Sequence, residues 1–167
     1  DRPHFITVTI VDWVDLFTRP IYKMIIVDSL NHCVVNKSLK IYGYCIMPSH
    51  IHLIVSSHGE QGLNEVVRDF KKFTSKELIK AIKTERESRR EWLLHRFSLA
   101  AKRIKRGVNY KVWQDGFHPV ELTSNDMIDQ KLDYVHNNAV VEEYVSAPEY
   151  WLYSSASFYI NDEDNML

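Results

Sequence analysis

The 167-residue chain is short of most features that announce a specialised class of protein. It has no run approaching the ~18 apolar residues of a membrane-spanning helix. Its first residues lack the basic, then apolar, then small order of a signal peptide, so a cytoplasmic protein without membrane contact is expected. Two cysteines, Cys33 and Cys45, supply neither a framework of bridges nor a Cys-x-x-Cys pair, and both are expected as small core residues. Five glycines and five prolines exclude collagen-like and low-complexity structure. No repeat and no Gly/Ser linker divides the chain, which is expected to be one domain over 1–167 with an aromatic-rich tail at 144–167. Net charge is also missing: the formal total is −1, without the basic excess that usually marks a nucleic-acid binder.

That total conceals an uneven spread. Between Arg68 and Arg106 stand 14 of the 21 lysines and arginines against five acids, a net +9, which leaves −10 for the rest. Such a layout suits a polyanion-binding face on a body that repels the same ligand elsewhere. A solvated helix surface would look similar, and only chemistry beside the patch decides between them.

Periodicity divides the chain into alternating elements. Residues 4–11, HFITVTIV, alternate in period two and read as a strand. Pro20 opens a helical pattern reaching Val35. Residues 38–47 and 50–57 are strand-like runs joined by Pro48-Ser49, a hairpin signature. Leu63, Val66, Val67, Phe70, Thr74, Leu78 and Ile82 then form a helical apolar stripe, with Arg68, Lys72, Lys76 and Lys80 as a ridge on another face. A second helix is expected from about Glu85 to Lys105, ending in Lys102, Arg103, Lys105 and Arg106 before a capping Gly107. Residues 110–122 read as an edge or bulged strand broken by Gly116 and Pro119, and Ser124 or Asn125 caps a last helix. Strands that mix crossovers with a hairpin give an α+β sandwich of ferredoxin-like (RRM-like) type, an antiparallel sheet covered by helices on one side.

Two short patterns carry the candidate chemistry. His50-Ile51-His52 on the second hairpin strand puts both imidazoles on one face, half of a metal site. On spacing alone, such pairs on strands are more often exposed polar residues than ligands. In the last helix Tyr134 and Asn138 are four apart and share a face, with Gln130 a turn earlier and His136 pointing elsewhere. Taken singly, Tyr134 could be a packed aromatic and Asn138 an exposed amide.

Together the segments GYCIMPSHIHLIVSS and, further along, YVHNNAV resemble the HUH single-tyrosine transposases, in particular the insertion-sequence 200-like and REP-associated tyrosine transposases. FITVTIVDW, FKKFTSKEL, VWQDGFHPV and YWLYSSASFY extend the resemblance over most of the chain. Ser49 stands where Asn is usual before the first histidine, and Ala139 where Pro usually follows Asn138. The resemblance implies that His50, His52 and Asn138 bind Mg²⁺ or Mn²⁺ and that Tyr134 is the catalytic nucleophile. Three neutral ligands would hold such an ion weakly until a DNA phosphate adds its oxygens. Phenolate leaves more readily than an alkoxide, so a 5′-phosphotyrosine bond would store the energy of the cut strand and permit rejoining.

The implied substrate is single-stranded or hairpin DNA of mobile or repetitive elements, handled in the bacterial cytoplasm on the nucleoid; the resemblance leaves open a homodimer that shares its sites between chains or a monomer that uses Tyr134 in cis. Arg68, Lys72, Lys76, Lys80, Lys102, Arg103, Lys105 and Arg106 are then the candidate phosphate contacts. Tyr110 and Trp113 are candidates to stack on unpaired bases, core packing being the readier use of Trp113. A non-catalytic module binding single-stranded or hairpin nucleic acid on the same scaffold is the alternative.

Overall fold

A computed structural model describes residues 2–104 and 107–167. The elements run β1 (His4–Thr9), α1 (Pro20–Lys37), β2 (Leu39–Ile46), β3 (His50–Ser57), α2 (Leu63–Thr84), α3 (Arg90–Ile104), β4 (Val120–Glu121), α4 (Asn125–Val141) and α5 (Ala156–Asn161), with single 3₁₀ turns at Val11–Trp13 and Pro148–Tyr150. The four strands form one sheet in the order β2-β3-β1-β4, and every pair is antiparallel. This is the expected ferredoxin-like α+β arrangement. Among the described residues no helix is long and apolar enough to cross a membrane.

Period-two alternation sorts the strand residues onto two faces. Ile6 and Val8 of β1 and Ile51, Leu53 and Val55 of β3 face α1 and α2, where Tyr22, Ile26, Leu30, Val66, Phe70 and Leu78 complete the larger core. Each such side chain taken from water contributes about 1.5–3 kcal/mol. Pro20 sits in the first turn of α1, where its missing N–H costs nothing, and Ser38 ends the helix in the left-handed region with φ 53°. The stripe expected for α2 is buried from Val66 to Ile82, with Leu63 partly covered at its start.

The sheet's second face is covered too, contrary to the expectation of helices on one side. Phe5, Cys45 and Ile54 meet Leu122, Val135 and Ala139 in a smaller cluster under α4. The pattern of β3 conceals this: all eight of its residues are buried, so its polar positions are not solvent-facing. At Gly43, beside a register shift in β2, a Cβ would come 2.6 Å from Leu132 Cδ1, so α4 lies close against the strand. The C-terminal tail closes the outer edge of β2 through Ile46 N–H to Tyr153 O (2.8 Å) and Ser155 N–H to Tyr44 O (3.0 Å).

Two further expectations change. The helix expected from Glu85 begins instead at Arg90, because Glu87 is drawn inward as a hub. Its buried carboxylate accepts from Tyr22 Oη (2.8 Å) and the Arg89 backbone N–H (2.9 Å) and pairs with the guanidinium groups of Arg19 and Arg89. Residues 110–122 do not form one strand: only Val120–Glu121 pairs regularly with β1, while Trp113 makes an isolated bridge to Ile10. Gly116 at φ 75° and His118 at φ 46° break the ladder between them.

Candidate metal and nucleophile site

The second face of the sheet carries the polar cluster. His50 and His52 lie two residues apart on β3 with ring centroids 4.7 Å apart. Cross-strand register places Thr7 opposite His52, and its Oγ1 is 2.9 Å from His52 Nδ1. Ser49 Oγ is 3.1 Å from His50 Nδ1. When each Nδ1–H donates to its hydroxyl, both Nε2 lone pairs are left free, the arrangement usual for ligating imidazoles. Burial pulls His52 down to about 3, aided by the charges of His50 and Lys131. Burial also lowers His50, against the pull of Glu142 and Asn138. Both rings are therefore neutral at pH 7.

Helix α4 delivers the other side of the cluster. Ser124 caps it by accepting from Met127 N–H, fixing its register as the sequence suggests. Tyr134 stands with its ring 5.3 Å from His52 and 5.8 Å from Phe5, and is 49% exposed. Asn138, one turn on, is 7% exposed, and its buried Oδ1 has no hydrogen-bond partner. Leaving an amide oxygen so costs about 1–3 kcal/mol. A buried oxygen without a partner, on the helix that packs over the histidines and next to His50, fits a cation ligand. Among the described residues no three His, Cys, Asp or Glu side chains group closely enough for a metal, so the amide is needed to complete a third position. Gln130 remains exposed. His136 turns away, as expected, within 2.8 Å of Ser155 Oγ and against Tyr159.

Several neighbours escape sequence reasoning. Lys131 Nζ lies 4.8 Å from the Phe5 ring and 5.4 Å from the Tyr134 ring, placing a cation beside the phenol. Glu142 Oε1 is 3.9 Å from His50 Nε2. Its spacing four residues after Asn138 is a signal that could have found it. Trp13 meets His50 edge-on at 5.5 Å.

The basic residues fall into different environments. Arg68, Lys72, Lys76 and Lys80 line a groove of about 1050 Å³ with Lys71, Lys83 and residues 107–117. The groove flanks α2, on the sheet face opposite His50 and His52. Its floor includes Tyr110, whose ring lies 4.9 Å from Lys83 Nζ. Lys71 donates to the carbonyls of Gln114 and Gly116, and burial pulls its ammonium down to about 8. Trp113 belongs to the core, donating to Thr74 Oγ1 at 3.0 Å. Arg103 clasps Asp12 through two bonds of 3.1 and 2.7 Å, whereas Lys102 is exposed. Lys105 and Arg106 lie outside the described residues.

The family described as "Transposase IS200 like" matches residues 4–99, more than half of the chain, including His50 and His52 but stopping before Tyr134 and Asn138. A REP-associated tyrosine transposase solved with a REP hairpin is 16% identical, with a TM-score of 0.64 over 93% of this chain and 76% of that one. A candidate transposase from Deinococcus radiodurans R1 is 12% identical, with a TM-score of 0.48 over 81% of this chain and 88% of that one. No curated protein matches. By the extent of the family match, the chain belongs to the IS200-like transposases.

Proposed function

We propose that this transposase-family protein cuts and rejoins single-stranded DNA through a 5′-phosphotyrosine at Tyr134, with Mg²⁺ or Mn²⁺ held by His50, His52 and Asn138. The observation that carries this reading is the partnerless Oδ1 of Asn138, buried on the same α4 face as Tyr134 and beside the histidine pair. The bound ion would supply Lewis-acid stabilisation of charge on the scissile phosphate.

The remaining work belongs to the chain's own groups. Tyr134 Oη attacks phosphorus, forming one P–O bond as the bond to the 3′ oxygen breaks; the phenolic proton leaves the nucleophile and the departing 3′ oxygen gains one. Rejoining is the reverse, with a 3′-OH attacking the phosphotyrosine, so no nucleotide triphosphate is consumed. Lys131, close to the phenol ring, offers a cation to the incoming phosphate, and the exposed half of Tyr134 lets a strand approach. Thr7 and Ser49 hold the imidazole rings in orientation. The α2 groove offers a row of cations for the phosphates of a flanking duplex or hairpin stem. The hairpin bound by the REP-associated transposase of similar fold supports hairpin DNA as the substrate.

The test is incubation of wild type and Tyr134→Phe with a library of single-stranded hairpins and Mn²⁺. Wild type is expected to yield an SDS-resistant adduct, and Tyr134→Phe to bind without forming one. An adduct on Tyr134→Phe overturns the nucleophile. Binding by wild type with steep salt dependence but no cleavage would make the chain a non-catalytic binding module.

A further inference from the structure

Trp13 occupies a position that packing does not explain. Its indole is 60% exposed, yet it stands edge-on to His50 with ring centroids 5.5 Å apart, leaving a broad aromatic face in solvent next to the proposed reaction centre. The backbone is unusual as well: Asp12 and Trp13 both adopt left-handed conformations, φ 55° and 54°. A bulky residue takes up that conformation only where its surroundings impose it.

The surroundings do so from two directions. Behind the turn, the Asp12 carboxylate is gripped by Arg103 (2.7 Å) and approached by Arg96 (3.5 Å) from α3. Beside it, Ile10 N–H donates to Ser49 O (2.8 Å) and Phe17 N–H to Pro48 O (2.9 Å). The turn holding the indole is therefore fastened to the very residues that precede His50. Two guanidinium groups thus hold the one Asp12 carboxylate, and Arg96 also lies 5.8 Å from the exposed Trp92 ring on the same helix. A rigid aromatic face beside the proposed phosphate-handling site matches one ligand chemistry, a nucleobase free of its complement.

We infer that Trp13 is a stacking platform for an unpaired base adjoining the phosphate handled at His50 and Tyr134, and that the Asp12–Arg103–Arg96 clasp sets its position. The inference rests on the proposed DNA chemistry and names a residue that positions the strand. It also accounts for selectivity, because a base stacked within a duplex has no free face to offer.

The experiment compares two probes of equal charge, a fluorescein-labelled ten-residue oligothymidylate and the same strand built entirely of abasic tetrahydrofuran units. Both are titrated in Mn²⁺ against Tyr134→Phe and against Tyr134→Phe carrying Trp13→Ala or Trp13→Phe. The thymidylate should bind the parent about 5- to 100-fold more tightly than the abasic strand, the range for stacking on one aromatic. Trp13→Ala should remove most of that preference while leaving affinity for the abasic strand unchanged, which also shows that the variant is folded; Trp13→Phe should restore part of it. Equal losses on both strands, or no loss on either, would overturn the platform while leaving the DNA reading standing. Failure of both strands to bind the parent protein would overturn the DNA reading and the platform with it.

Discussion

The two faces of one sheet are built to different ends. Ile51, Leu53 and Val55 point from β3 into a broad apolar core against α1 and α2, whereas His50, His52 and Ile54 of the same strand point under α4. On the first face burial is matched by close apolar packing. On the second it is matched by two hydroxyls for the imidazoles and left unmatched at Asn138 Oδ1. Neighbouring residues on a strand therefore face an apolar core on one side and, on the other, a polar cluster that gives up some stability, as the proposed chemistry requires.

Substitutions on adjacent residues break the comparison most sharply. Ile51→Ala should destabilise the fold by about 2–5 kcal/mol in chemical denaturation, while the protein that remains folded keeps its Mn²⁺ binding. His52→Ala should do the opposite, abolishing Mn²⁺ binding in calorimetry with a much smaller change in melting; equal loss of stability from both would erase the distinction between the faces. Thr7→Val, which removes only the hydroxyl behind His52, is expected to weaken Mn²⁺ binding about 10- to 100-fold. Lys80→Ala, on the opposite face, should leave Mn²⁺ affinity alone and reduce the salt slope of duplex-stem binding by about one.

The smallest effect is a pH effect at the turn beside the site. The Arg103 hydrogen bond holds the Asp12 carboxyl below the usual carboxylate range, with the charges of Arg103 and Arg96 adding to it. A depressed carboxylate contributes stability that is fully present above its unfolded pKa and is lost as pH falls through the folded one. Wild type should thus lose a little melting temperature below about pH 4, and Asp12→Asn should show no such increment.

Much of this arrangement was legible in the sequence where signals are local. Alternation in β1 and β3, the α2 stripe, the Pro48-Ser49 turn and the four-residue spacing of Tyr134 and Asn138 all depend on residues close in the chain. What eluded the sequence depends on partners distant in it. Thr7 is an ordinary strand threonine until the register sets it opposite His52, 45 residues on. Nothing local in the sequence assigns helix α4 to a second face, because β3 buries both of its sides and the β3 histidines look like solvent-facing residues until α4 covers them.

The basic segment divides for a similar reason. Arginine's planar fork suits internal clasps, and Arg89, Arg90 and Arg103 spend their guanidinium groups on Glu87, backbone carbonyls and Asp12. The exposed lysines of α2 are left facing the groove. A charge count along the chain weighs both kinds alike.

Both margins of the sheet are closed by segments that are scarcely strands. The 112–121 stretch satisfies β1 through Thr7 and Thr9 and the following turn through Val11 but kinks between these contacts, and the tail does the same for the upper half of β2. Irregular borders of this kind use up outward-facing backbone groups without offering a straight template for another extended chain. A sheet bordered in this way is shielded from fibrous self-assembly along the lengths those segments cover.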